Sequence, residues 1–264
     1  MRFARVVALL TLAAVMSATA LAAEPDPRIA ALIAAYPDVI KAQEGNDLVL
    51  ADGTKFVIDD GRGKKPFETL LDEPDIDDQF YVPYQLGNKG FPPGVDEDPG
   101  RVRFEPLFKK MYGDCEKGEV KAKLVTVKWL PKHKGGSVEV NSANGLAKAL
   151  EAVSAELDEM DGKFIRYLKP SAGTYNCRVI AGTKRMSMHA YAAAIDINTK
   201  VSDYWRWAKP AKDGTYPYKN QVPIEIVDVF EKHGFIWGGK WYHYDTMHFE
   251  YRPELIALGK AAAQ

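Results

Sequence analysis

Apolar positions give the first outline of the chain. Between Asp26 and about Glu44, Ile29, Leu32, Ile33 and Ile40 recur at helical spacing with a break at Pro37, which predicts an amphipathic helix. Two β-rich runs then flank Asp52-Gly53 within Asp47–Ile58, a hairpin pattern. From Lys123 to Leu130 apolar and polar residues alternate as in a strand, and a second strand is predicted around Ser137–Val140 after Gly135-Gly136. Asn141 or Asn144 is placed to cap a helix running through Glu159. Phe164–Leu168 reads as a strand, and Tyr191–Asn198 ends in another. Pro223 opens a helix to about Lys232 that stops at Gly234. A strand over Met247–Tyr251 then precedes a helix from Pro253. Helices and strands mix without regular βαβ alternation, so the expected class is antiparallel α+β.

The segment from about Asp59 to Arg101 breaks this texture, being rich in Gly, Pro and acidic residues. Its most acidic run, Asp72 to Asp78, lacks the glycine and terminal glutamate of an EF-hand and is expected to be a solvated surface loop. At the N-terminus, Arg2 and Arg5 precede an apolar run from Val6 to about Val15, and small residues end at Ala20-Leu21-Ala22. That order matches a secretory signal cleaved after about Ala22, and the run is too short for a comfortable membrane anchor. The expected organisation is a signal over residues 1–22, an N-terminal extension with helix, hairpin and long loops over 23–120, and a catalytic unit over 121–264. No later segment is apolar enough to cross a bilayer.

Composition narrows the class without naming a chemistry. The 264 residues are 46% hydrophobic and 27% charged, which excludes disordered, collagen-like and coiled-coil chains. The formal charge is −1, and −3 once the two signal arginines are removed, so the basic surplus that nucleic acid binding requires is missing. In an oxidising compartment the two cysteines, Cys115 and Cys177, are expected to form one bridge; the alternative is a pair of buried thiols.

Candidate chemistry concentrates in two segments. In Ser187–Asn198, Asp196 lies between Ile195 and Ile197, a poor place for a carboxylate unless a cation or hydrogen bonds await it, and His189 lies seven residues upstream. In Gly234–Glu250, His248 and Glu250 share one strand face, and Asp245 stands three residues before His248. Two imidazoles and one carboxylate are a familiar catalytic zinc set that leaves a position for water. Trp237 and Trp241 either line a cleft or pack in the core. His243 and Glu250 are either partners of the metal ligands, substrate contacts, or residues of the surface and strand edge.

His189 with Asp196, followed by Asp-x-x-His-Phe after Trp237-Gly-Gly-x-Trp241, resembles the zinc peptidases that cut bacterial cell-wall peptides. That family includes D-alanyl-D-alanine carboxypeptidases, the vancomycin-resistance type among them, and L-alanyl-D-glutamate endopeptidases. The resemblance covers about Phe164–Arg252. Its pattern is Ser-x-His-x-x-Gly-x-Ala-x-Asp followed by Glu or Asp-x-x-His. By position it implies His189, Asp196 and His248 as zinc ligands, Asp245 as catalytic base and Ser187 as support for the ligand loop. Arg178 falls where the family places an arginine for the substrate carbonyl. Two departures stand out: Ala192 replaces the glycine, where positive φ would be disfavoured, and the base is Asp, which with Trp-Gly-Gly-x-Trp is closer to the endopeptidase branch.

The resemblance implies a small antiparallel sheet flanked by helices with a zinc site in a cleft. With the signal pattern it points to an exported enzyme, periplasmic or secreted and expected to be a monomer, that acts on peptidoglycan stem peptides. The alternative is a non-catalytic module that keeps the fold and binds wall peptides or a protein. Discrimination between them falls to turnover.

Overall fold

A computed structural model describes residues 26–89 and 91–263; the expected signal, residues 1–22, lies outside the described residues. Helix α1 spans Pro27–Ala35, with Pro27 in its first turn and the Asp26 side chain accepting from Arg28 N at 2.8 Å. The expected helix to Glu44 ends early, because Pro37 has no N–H to continue it, and residues Ile40–Glu44 form strand β1 instead. The predicted hairpin is present as β2 (Asp47–Leu50) and β3 (Lys55–Val57), completing an antiparallel sheet of order β1-β2-β3.

After β3 come α2 (Phe67–Asp72) and α3 (Glu105–Tyr112). The intervening segment is more than a surface wrap: Ile76, Tyr84, Asp98 and Val102 are buried. Its acidic run is partly internal too, since Asp75 and Asp78, together with Asp60, surround the buried ammonium of Lys65. A cation supplied by the chain itself balances those carboxylates.

Strands β4 (Leu124–Lys128) and β5 (Ser137–Asn141) pair antiparallel as predicted. Helix α4 (Leu146–Leu157) starts behind Gly145, and neither asparagine caps it: Asn141 donates to Tyr112 O at 2.9 Å and Asn144 to Met111 O at 3.1 Å. The run expected as a strand near Phe164 is helical, α5 (Ile165–Leu168), preceded by a turn that Asp161 caps. Phe164 and Leu168 are both buried at i, i+4 spacing, a helical relationship that so short a run does not distinguish from alternation.

The remaining elements are β6 (Ala194–Asp196), α6 (Ile224–Lys232), β7 (Phe235–Trp237), β8 (His248–Tyr251) and α7 (Pro253–Ala261). β8 is central in an antiparallel sheet of order β6-β8-β7. Phe249 on β8 stacks on Phe230 of α6 at 3.8 Å between ring centroids, which fixes the sheet's buried face and turns His248 and Glu250 the other way. The architecture is α+β. Residues on both sides of Lys121 share one core, in which Ile29, Leu107 and Phe108 belong to the same cluster as Ile195 and Phe249. Tyr36 at the end of α1 donates to Glu254 on α7 at 2.7 Å. Cys115 and Cys177 form a disulfide. Among the described residues no helix is long and apolar enough to cross a membrane.

Candidate active site

Sheet register creates the centre of the site. Asp196 on β6 is paired directly across from His248 on β8, so the two side chains rise from adjacent strands on one face. His189 reaches the same point from the short turn Met188–Tyr191, whose start is capped by Ser187 accepting from His189 N at 3.3 Å. Ala192 closes that turn at φ 52°, so the chain keeps the left-handed conformation where glycine was expected, and a buried methyl group accompanies it. The departure therefore leaves the loop's course intact.

Three atoms converge. His248 Nδ1 lies 2.8 Å from Asp196 Oδ1, His189 Nε2 lies 3.2 Å from the same oxygen, and the two nitrogens are 3.2 Å apart. Tetrahedral zinc with bonds of about 2.0–2.1 Å holds its ligand atoms about 3.3 Å apart, so the donor set fits zinc with small adjustments. The outward nitrogens are committed elsewhere. His189 Nδ1 donates to Thr174 O at 2.7 Å and His248 Nε2 to Glu250 Oε1 at 3.0 Å. Carbonyls and carboxylates only accept, so each ring keeps its proton on that side and offers its other nitrogen to a metal.

Charge follows this arrangement. Burial works against a charged His248, but the hydrogen bonds and charges of Asp196 and Glu250 outweigh it and raise its pKa to about 10. Burial likewise opposes the Asp196 carboxylate, yet the two imidazoles hold it below the usual range. Glu250 is lowered to about 2 against its burial, chiefly by Arg103, which donates to it at 3.0 Å.

Asp245 lies in the turn before β8, its N–H bonded to Gly238 O at 2.9 Å. The Trp-Gly-Gly-x-Trp motif follows from this packing: a Cβ on Gly238 would come 2.7 Å from Asp245 O, and one on Gly239 would overlap the Trp237 ring. Asp245 Oδ1 is sealed from solvent and has no hydrogen-bond partner among the described residues. Burial and the nearby Asp196 charge raise its pKa to about 7. A carboxylate poised near neutrality is suited to taking a proton.

These groups line a cleft of about 300 Å³. Arg178 stands exposed on its wall, its side chain's one hydrogen bond among the described residues reaching Val179 O at 3.3 Å. Trp241 lines the cleft with its ring 5.7 Å from that of His248, whereas Trp237 is turned into the core and donates to Thr246 O at 2.9 Å. Of the two placements open to Trp237, cleft or core, it takes the core, where its ring packs on Phe249. Glu250 is internal rather than at a strand edge, and His243 lines the cleft. Sequence reasoning missed Asp98, Arg101 and Arg103. The local signal for Arg103 was a charge between Val102 and Phe104.

The disulfide ties down the segment that positions His189. Next to Cys177, Asn176 N donates to His189 O at 3.0 Å, and Asp196 N donates to Gly173 O at 2.9 Å. Residues 181–251 match a protein-family model described as D-alanyl-D-alanine carboxypeptidase, which bears out the resemblance over that segment. Searches of curated proteins and of solved structures return no match.

Proposed function

We propose, from the premise that residues 181–251 carry the D-alanyl-D-alanine carboxypeptidase family pattern, that the chain is an exported zinc peptidase acting on peptidoglycan stem peptides. The observation that carries this reading is the convergence of His189 Nε2, Asp196 Oδ1 and His248 Nδ1 beside an orphaned Asp245 oxygen. His189, Asp196 and His248 would hold the metal. Zinc, when bound, supplies Lewis acidity and makes a water acidic enough to be deprotonated near neutral pH.

The chain's own residues account for the rest. Asp245 takes the proton of the attacking water, and its raised pKa matches that task. Arg178, whose guanidinium is committed to no other side chain among the described residues, hydrogen-bonds the scissile carbonyl as its oxygen becomes negative. Trp241 packs beside His248 and limits water at that edge. Ser187 supports the His189 turn as a cap. Export, to the periplasm or beyond, rests on the N-terminal signal pattern.

The test is metal analysis of the mature chain together with mass spectrometry of products from defined muropeptides. Stoichiometric zinc and cleavage at one peptide bond are expected, with Asp245→Asn lowering kcat by about 10²-fold or more. A chain that binds zinc and muropeptides but releases no product would be a binding module instead.

A further inference from the structure

Asp98 lies outside the family-matched segment, yet it reaches the cleft. Its side chain is fully buried, and the hydrogen bonds its carboxylate accepts come from two residues of the cleft wall. One oxygen accepts from His243 N at 2.9 Å; the other accepts from His243 Nδ1 at 2.8 Å and Arg101 Nη1 at 2.7 Å. Burial disfavours this carboxylate, but His243 and Arg101 more than compensate and hold its pKa below the usual value. An ionised carboxylate only accepts, so His243 Nδ1 carries a hydrogen.

The rest of the ring is equally constrained. Phe67 stacks on its face at 5.6 Å between centroids with planes 7° apart, and Trp205 meets it at 4.7 Å in a T-shaped contact. Nε2 is the remaining polar atom. It finds no hydrogen-bond partner among the described residues, and the ring borders the cleft that Asp245 and the three converging ligand atoms share. An imidazole gripped on one nitrogen by a buried carboxylate, with the other open to a reaction cleft, is a device for moving a proton.

We propose that His243, oriented by Asp98, is a further catalytic residue that donates its Nε2 proton to the leaving amine; this rests on the peptidase reading above. Peptide hydrolysis moves two protons. Asp245 removes one from water as the new C–O bond forms. The C–N bond breaks only if the nitrogen gains a proton, since an unprotonated amide anion is too basic to leave. Aspartate is one methylene shorter than glutamate, so Asp245 reaches less easily from the water to the nitrogen beyond the carbonyl. His243 supplies that proton from Nε2, Asp98 balances the charge of the protonated ring, and the proton on Asp245 returns to His243 through water. The new carboxylic acid then gives up its proton to the released amine, so the products are one carboxylate and one ammonium, with one water consumed.

A peptide and its thiodepsipeptide, identical except for sulfur in place of the scissile nitrogen, separate this role from simple packing. A thiolate, with a parent thiol pKa of about 8.5, departs without prior protonation. His243→Asn retains a donor at the position of Nδ1 for Asp98 and removes the far edge of the ring; His243→Gln serves as an independent variant. With zinc content and melting temperature monitored, each variant is expected to lose about 10²-fold in kcat on the peptide and less than about threefold on the thiodepsipeptide. Equal losses on both substrates, or no loss on the peptide, overturn the proposal while leaving the peptidase reading in place. A wild-type chain that hydrolyses neither substrate overturns that reading itself.

Discussion

Arg103 Nη1 lies 3.0 Å from Glu250 Oε1, the same oxygen that receives the proton-bearing nitrogen of His248 at 3.0 Å. A residue far upstream of the matched segment therefore sets the angle at which His248 presents its free nitrogen. Removing the guanidinium leaves a carboxylate buried without its main counter-charge.

Arg103→Met should accordingly lower stability by about 3–5 kcal/mol, the cost of breaking a buried pair on one side. Zinc affinity should fall by about 10–100-fold through the loosened His248 ring. Denaturant unfolding and competition with a chromogenic chelator measure the two effects separately. Unchanged zinc affinity would separate the arginine from the metal site.

Zinc uptake should release protons. In the metal-free chain His248 has a pKa of about 10 and is charged at neutral pH, yet a ligating nitrogen must be bare. Displacing one proton makes the apparent affinity rise about tenfold per pH unit between pH 7 and 9, flattening as the pH nears the His248 value. Calorimetry in buffers of different ionisation enthalpy counts the protons, and a count of zero contradicts the assignment.

Asp245 predicts a pH dependence for the metal-free protein. Its folded pKa of about 7 lies above the ordinary 3.8, so the folded state binds the proton more tightly. The stability linked to this group is fully present below about pH 4 and is lost as pH rises through about 7. Asp245→Asn, which cannot ionise, should melt higher than wild type at pH 8 and alike at pH 4. Matched melting curves at the two pH values decide it.

Reduction of Cys115–Cys177 should cost about 2–4 kcal/mol, because it frees a loop closed across a sequence separation of 62. The same treatment should weaken zinc binding, since Asn176 and Thr174 beside the bridge hold His189. Melting and metal retention with and without reductant provide the check. Loss of stability with full metal retention would show that the bridge acts on the fold alone.

Ala192→Gly opposes two small effects. Relief of the left-handed strain is worth about 1–2 kcal/mol, and loss of the buried methyl costs about 0.8 kcal/mol. A gain of at most about 1 kcal/mol with unchanged zinc affinity is expected from thermal unfolding and metal titration.

Local patterns reported local structure well. The Asp52-Gly53 hairpin, the α6 stop at Gly234 and the shared face of His248 and Glu250 all follow from spacings of one to four residues. Short runs did not reveal their period: α5 has four residues and β7 three, too few to separate a helix from a strand. Residues brought in from far along the chain were invisible in a different way. Asp98 meets His243 across 145 residues and Arg103 meets Glu250 across 147, and no periodicity connects them.

Those two long-range pairs bear on how the cleft comes into being. Contacts of such sequence separation require closure of a large loop, whose entropy opposes them until the contacts repay it. The backing of the His248 ring and the orientation of His243 therefore depend on segments from both halves of the chain packed around β8. A chain lacking the residues up to Arg103 would keep His189, Asp196 and His248 but not the groups that back His248 and orient His243, so the finished cleft belongs to the complete fold.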